Sequence, residues 1–408
     1  MLPIRRRCHM ASPTLSASSR TSAIADAVQT YVHDHSDAYL DLLTRIVQIE
    51  SPSTDPEAQI GVQRSLAQAL HNIGYCTAHL PGHDTGGSLY ARPAQARDDH
   101  PRQLLLGHGD TVWPHGTLQR MPVRRDGDNL HGPGVFDMKA GLVSIVFALK
   151  ALDAIGERPP LTPLVLVTSD EEIGSHESRH HIERLAQCSE RVFVLEPALG
   201  LEGTIKTARK GTGEYVLCLR AAHTEDDPAA TVNGSGNVVV ELSRLVQHLH
   251  ALNDPERGVT VNVGTIDGQH HADGAEGRLA VDVRVPTTDD AHRIDTTIQR
   301  LTPSDPSLAL DVRGGMEREP MERTPGNQRL WQHAQRLGAH LGLSLSGGRA
   351  GGASDGNFTS LHTPTLDGLG AVGDGAHAQH EFIDVPRTLD RCALLALLLL
   401  TPPGRGSA

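Results

Sequence analysis

Two short strings in this chain carry residue types that do chemistry: Gly107-His108-Gly109-Asp110-Thr111 and Ser169-Asp170-Glu171-Glu172. Each closes an apolar run, Leu104 to Leu106 in the first case and Leu164 to Val167 in the second. A short apolar run halted by polar residues reads as a buried strand with functional groups at its carboxyl end. An imidazole with a carboxylate two residues on, beside a strand ending in paired carboxylates, is a donor set suited to zinc or a similar divalent cation. Three further positions extend it. Asp137 lies in the glycine loop Gly132-Pro133-Gly134-Val135-Phe136-Asp137-Met138-Lys139, Glu196 follows the apolar run Arg191–Leu195, and His377 or His380 could add a second imidazole. A carboxylate such as Asp137 has two oxygens and can bridge two cations about 3.5–4 Å apart. With 24 histidines in the chain, a single one is ordinarily a surface or core residue, and Glu171-Glu172 alone is an ordinary helix start. The ensemble points to a metallohydrolase.

The elements that must position these groups follow from periodicity. Asp26–Ile49 has helical spacing and is stopped by Ser51-Pro52, and a second helix covers about Glu57–Ile73. Strands are expected at Ser88–Ala91, Gln103–Leu106, Leu164–Thr168 and Arg191–Leu195, with a helix over Ala140–Leu152. Alternating strands and helices make this an α/β domain. After Lys210 the pattern changes: Glu214–Arg220 alternates as a half-solvated strand should. A helix over Asn237–Leu252, strands at Val259–Ile266 and Gly277–Val285, a helix over Asp289–Leu301 and a strand near Leu308–Arg313 complete an α+β insert. The helix Gln328–Leu341 and the glycine-rich stretch Gly347–Gly356 resume the first domain. The expected organisation is a disordered tail at 1–24, a discontinuous catalytic domain at 25–210 and 321–408, and an inserted domain at 211–320.

The chain of 408 residues exceeds one ordinary domain and suits two. With 37 basic against 49 acidic residues, its formal charge of -12 argues against nucleic acid and anionic membrane as partners. Five scattered cysteines at no metal-knuckle spacing fit reduced thiols and a cytoplasmic location. Arg5-Arg6-Arg7 precede no apolar stretch of signal-peptide type, and the run Cys392–Leu400 is far short of a membrane span of ~20 residues. It reads as a terminal core helix of a soluble protein.

At this point a resemblance covers nearly everything from about residue 30 onwards. The run Leu104–Leu149, the Asp-Glu-Glu string, Glu196-Pro197, Gly351-Gly352-Ala353-Ser354-Asp355 and Gly373-Asp374-Gly375-Ala376-His377 resemble the dinuclear zinc aminoacylase/carboxypeptidase family of metallopeptidases. In pattern they sit nearest its bacterial glutamate carboxypeptidases. The resemblance implies a zinc-peptidase-like domain, a mixed and mostly parallel sheet flanked by helices, with an inserted ferredoxin-like lid that also forms a homodimer. It implies that His108, Glu172, Glu196 and His377 are terminal ligands with Asp137 bridging, and that His377 rather than His380 serves, because it precedes Glu381 in the family's turn. Two divalent ions are implied, zinc first, with manganese or cobalt as alternatives.

Further roles follow from the same resemblance. Glu171 is the general base acting on a water that bridges the ions. Asp110 accepts the other N–H of His108 and sets its tautomer. His223 is offered to the partner subunit's oxyanion. Asn262, Arg318 and Gly352 contact substrate, with the Arg318 fork on a free carboxylate. The bond between Asp137 and Met138 is expected to be cis. The chain departs from the family pattern after His223, where Thr224, Glu225, Asp226 and Asp227 follow, and at His271-Ala272-Asp273-Gly274, where the family has Asn-x-x-Pro. No basic residue is assignable to an acidic substrate side chain. The expected activity is hydrolysis of an amide beside a free C-terminal carboxylate, in a small peptide or N-acyl amino acid. N-acyl-amino-acid deacylase, desuccinylase or dipeptidase activity is the alternative, and a non-catalytic dimeric binding module is the reading from another class.

Overall fold

The computed structural model describes residues 17–97, 99–221, 236–271 and 274–403. Its larger body is built on a six-stranded sheet. Tyr75–Leu80, Ser88–Pro93, Thr162–Thr168, Arg102–His108, Val192–Val194 and Thr365–Leu366 lie side by side in that order. The first two pairings are antiparallel and the remaining three parallel. The central strands are apolar and buried because helices cover both faces, as parallel sheets require. Leu104 pairs with Leu164 and Val192, and His108 lies beside Thr168. This register brings the carboxyl ends of three neighbouring strands to one edge.

Helix Ala140–Ala154 is apolar on every side because it is the centre of the core; Leu142, Val143, Ile145, Val146 and Phe147 are all buried. It packs against Ala17–Asp34, Ser36–Val47 and Val385–Leu399. Tyr39 ties the layers together by donating its hydroxyl to the Ala140 carbonyl at 2.7 Å. The C-terminal helix starts at a capping Asp384, whose carboxylate accepts the Arg387 amide, and its leucines fill the core. No described helix is long and apolar enough to cross a membrane.

The N-terminal region differs from expectation in two ways. Helix starts at Ala17, inside the stretch assigned to a disordered tail, and Ser22 there meets His340 at 3.0 Å while Arg20 pairs with Glu157. Tertiary contacts of this kind order a segment that composition alone leaves free. The single helix expected over Asp26–Ile49 is broken at His35, whose ring nitrogen lies 2.8 Å from the Tyr31 carbonyl and competes for it.

The smaller body comprises Gly211–Ala221, Val238–His250, Thr260–His271, Gly274–Val285, Thr288–Gln299 and Leu308–Arg318. Its strands pair antiparallel in the order Thr260–His271, Gly274–Val285, Gly211–Ala221, Leu308–Arg318, a ferredoxin-like arrangement. Tyr215, Leu217 and Leu219 point inward to Leu242, Leu249, Ile294 and Ile298. The last strand runs on past Arg313, where the sequence suggested an end, and delivers Arg318 to the larger body. His223 lies outside the described residues.

Candidate metal centre

The strand edge assembles the expected cluster. His108 ends its strand, Glu171 and Glu172 occupy the short turn Glu171–Ile173 after Thr162–Thr168, and Glu196 follows Val192–Val194. Asp137 arrives from the irregular turn Val135–Lys139, entered through Gly134 in the left-handed region that glycine adopts freely (φ 73°). The Asp137–Met138 bond is cis. Gly107 lets Met138 lie directly against the strand, since a Cβ there would collide with its sulfur. His377, at φ 60°, sits in the loop between Gly373–Asp374 and Phe382–Asp384. A small sheet pairs Phe382–Asp384 with Asn129–His131, just ahead of the Asp137 loop. Two distant ligand loops are thereby neighbours.

Donor atoms fall into two groups that share one residue. His108, Asp137 and Glu196 place ligand atoms within 4.8 Å of one another, and so do Asp137, Glu172 and His377. His108 Nε2 is 3.6 Å from Asp137 Oδ1 and 3.5 Å from Glu196 Oε1. His377 Nε2 is 3.1 Å from both Asp137 Oδ2 and Glu172 Oε2. Each oxygen of Asp137 thus faces a different imidazole. His108 Nε2 and Asp137 Oδ1 are buried with no hydrogen-bond partner, a costly state unless a cation satisfies them. The residues fit two divalent ions with Asp137 between them. His380 is in neither group.

Electrostatics agree with that fit. Burial would push the His108 imidazole down, but Asp110, Asp137 and Glu196 outweigh it and hold the ring well above the ordinary histidine range. His377 is pushed up to about 10 by Asp137 and Glu172. Burial opposes ionisation of Asp137, yet His108 and His377 bring its carboxyl down to about 2. Burial raises Glu172 to about 7 against the pull of His377. These shifts mark a cluster of crowded acids that calls for positive charge, which divalent cations would supply.

Around the ligands, buried partners set orientation. Asp110 Oδ1 lies 3.3 Å from His108 Nδ1, and the Asp110 carbonyl 3.1 Å from the same nitrogen. Its carboxylate also accepts the Ser53 hydroxyl at 2.7 Å and the amides of Glu171 and Glu172 at 3.4 and 3.2 Å. One aspartate therefore aims the first imidazole and holds the turn carrying Glu171 and Glu172. Glu196 Oε2 receives Arg209 at 2.8 Å and Lys206 at 3.3 Å, which keep it ionised despite burial. Glu381 accepts the amides of Gly134, Phe136 and Asp137 and the Trp113 indole N–H.

The substrate residues expected from sequence fall differently. Arg318 was expected to turn its fork to a substrate carboxylate. In the structure it is 5% exposed with Nη1 2.7 Å from Glu171 Oε1, because the partly buried Glu171 and the buried Asp355 flank the end of its strand. Asn262 is exposed on the smaller sheet's edge strand, opposite Asp282, and is not brought to the metal cluster. Gly352 offers its carbonyl to Arg209 at 3.1 Å. Sequence reasoning missed Lys206, Arg209, Ser53 and Ser175 as supports. Charged or hydroxyl residues scattered in strands and turns read as solvated, and nothing local says otherwise. Asp355 ends the Gly351–Asp355 motif and Glu381 follows His377, which is a signal without a role.

Residues 104–401 match the model for peptidase family M20/M25/M40. The chain is 26% identical over 388 residues to carboxypeptidase G2 of Pseudomonas sp. (strain RS-16), covering 90% of each chain. It is 27% identical over 400 residues to succinyl-diaminopimelate desuccinylase of Verminephrobacter eiseniae, covering 87% of this chain and 97% of that one. Its fold matches that of a dinuclear metal binding peptidase of Bacillus subtilis with a TM-score of 0.67 at 12% identity, over 90% of this chain and 98% of the other.

Proposed function

The chain belongs to peptidase family M20/M25/M40 and is a metal-dependent peptidase or amidohydrolase, and from that premise we propose that it cleaves an amide beside a free C-terminal carboxylate, as a carboxypeptidase of the glutamate type. One observation carries the reading. Glu171 stands next to a pair of ligand groups sharing Asp137, with its Oε2 4.0 Å from His108 Nε2 and so turned towards the ions' place. Zinc suits the mixed imidazole and carboxylate donors, with manganese or cobalt as alternatives. Two such ions, when bound, would polarise the scissile carbonyl and make a water more acidic. Glu171 takes the proton as the water oxygen bonds to the carbonyl carbon, then passes it to the amide nitrogen as the C–N bond breaks.

Similarity across nearly the whole chain to a protein named carboxypeptidase G2 supports the substrate class. The similarity to a desuccinylase supports an N-acyl-amino-acid deacylase as the second reading. A homodimer fits exposed Val239, Val240 and Ile266 on the helix and edge strand of the insert, with His223 and Asn262 reaching substrate and a cytoplasmic setting. The test is hydrolysis of a panel of N-acyl amino acids and C-terminal dipeptides with added zinc, manganese or cobalt. Release of a free amino acid from the panel is expected. A protein that binds metal and cleaves none of them would overturn the proposed substrate class.

A further inference from the structure

Arg318 closes the returning strand of the insert, opposite Thr212 at the start of the outgoing one. It grips Glu171 twice: Nη1 donates to the carboxylate Oε1 at 2.7 Å, and Nη2 to the main-chain carbonyl at 2.9 Å. Holding both ends of one residue leaves its side chain little rotamer freedom. The other oxygen, Oε2, is the one turned towards His108.

The guanidinium is itself held. Nη2 also donates to Ser175 Oγ at 2.8 Å, and Ser175 donates its hydroxyl to Asp355 Oδ1. Asp355 is buried, accepts the Thr168 hydroxyl at 3.2 Å through Oδ2, and lies 3.7 Å from Arg318 through Oδ1. The ring of Phe358, on the same short helix as Asp355, packs 5.1 Å from the guanidinium carbon. A carboxylate crowded by Glu196, Asp110 and Glu172 would swing away from its like charges. A braced cation on its far oxygen prevents that.

We propose that Arg318, braced by Ser175 and Asp355, is the positioning residue of the base Glu171, fixing one carboxylate oxygen so that the other faces the metal pair. This rests on the assignment of Glu171 as base. The insert's return strand and the catalytic turn are thus joined through one side chain, and the Asp355 of the Gly351–Asp355 motif has a role as the anchor of that chain.

The test uses the metal-loaded full chain and one substrate with a free carboxylate. Arg318→Ala should lower kcat by about a hundredfold, the scale of a misplaced catalytic group, with KM, inhibition by the product amino acid and metal content unchanged. Arg318→Lys should recover part of the loss. Ser175→Ala, which creates no buried unpaired charge, should give a smaller loss in kcat alone. On a Glu171→Gln background, Arg318→Ala should cost nothing further, because it acts through Glu171. A rise in KM and in the product's inhibition constant with kcat kept would overturn the proposal and return Arg318 to the substrate carboxylate. Full activity of Glu171→Gln would instead remove the base assignment itself, whereas inactive Glu171→Gln beside fully active Arg318→Ala removes the positioning role alone.

Discussion

Glu381 holds Asp137 by its backbone: the glutamate Oε1 accepts the Asp137 amide at 3.0 Å, while its two oxygens also take the amides of Gly134 and Phe136. Because Glu381 follows His377 in the same loop, one buried carboxylate welds the loop of Asp137 to the loop of His377. The spacing between the two is set by hydrogen bonds to main chain rather than by either side chain.

Glu381→Gln should therefore loosen the metal centre without touching a ligand. An amide nitrogen turned to backbone N–H groups leaves buried donors unpaired, at about 1–3 kcal/mol each. Metal content after dialysis against a weak chelator is expected to drop below that of the parent. A variant retaining its full complement would mean the loop keeps its shape unaided.

Adjacent acids should separate cleanly by mutation. Glu171→Gln is expected to lose on the order of 100- to 10,000-fold in kcat with metal retained, since an amide cannot take the proton. Glu172→Gln should instead lose metal, as it sits 3.1 Å from His377 in the second donor group. Elemental analysis beside single-turnover rates checks both, and the reverse pattern would exchange the two roles.

Two sites sharing Asp137 predict a stoichiometry. The reconstituted protein should bind about two ions per chain, His108→Ala and His377→Ala about one each, and Asp137→Asn fewer than either. Ligand-linked stabilisation adds to this: at a hundred times the dissociation constant a bound ion contributes about 2.7 kcal/mol. Chelation should accordingly lower Tm, and a Tm indifferent to chelator would show that the acids are folded equally well without cations.

In the inserted domain, Asp290 provides a pH test away from the metals. Burial pushes its carboxyl up, but the Thr287 hydroxyl at 2.8 Å, Arg293 at 3.1 Å and Arg257 at 2.8 Å outweigh that and hold it below 3.8. A depressed carboxyl contributes stability that is present above its unfolded pKa and lost as pH falls through the folded one. The gap in urea midpoint between parent and Asp290→Asn should be wide at neutral pH and narrow below about pH 4. A gap that stays constant would mean Asp290 acts only as a neutral cap.

Much of the centre was legible in the chain because metal chemistry demands particular residue types at strand ends. The apolar runs before His108, Glu171 and Glu196 had to be buried strands, and the glycines around Asp137 had to be a turn, so the members of the two donor groups could be named from local pattern and family resemblance. The βαββαβ order of the insert was likewise written in its alternation of periods. What only tertiary structure decided is which buried groups face each other. Arg318 is distant in sequence from Glu171, and no periodicity says that a guanidinium at a strand end will turn its donors to that residue. The same holds for Arg209 and Lys206 on Glu196 and for Glu381 on the Asp137 loop. Local propensity senses neighbours along the chain, whereas the pairing of buried charges is settled by which elements pack together and by the cost of leaving any of those charges unpaired.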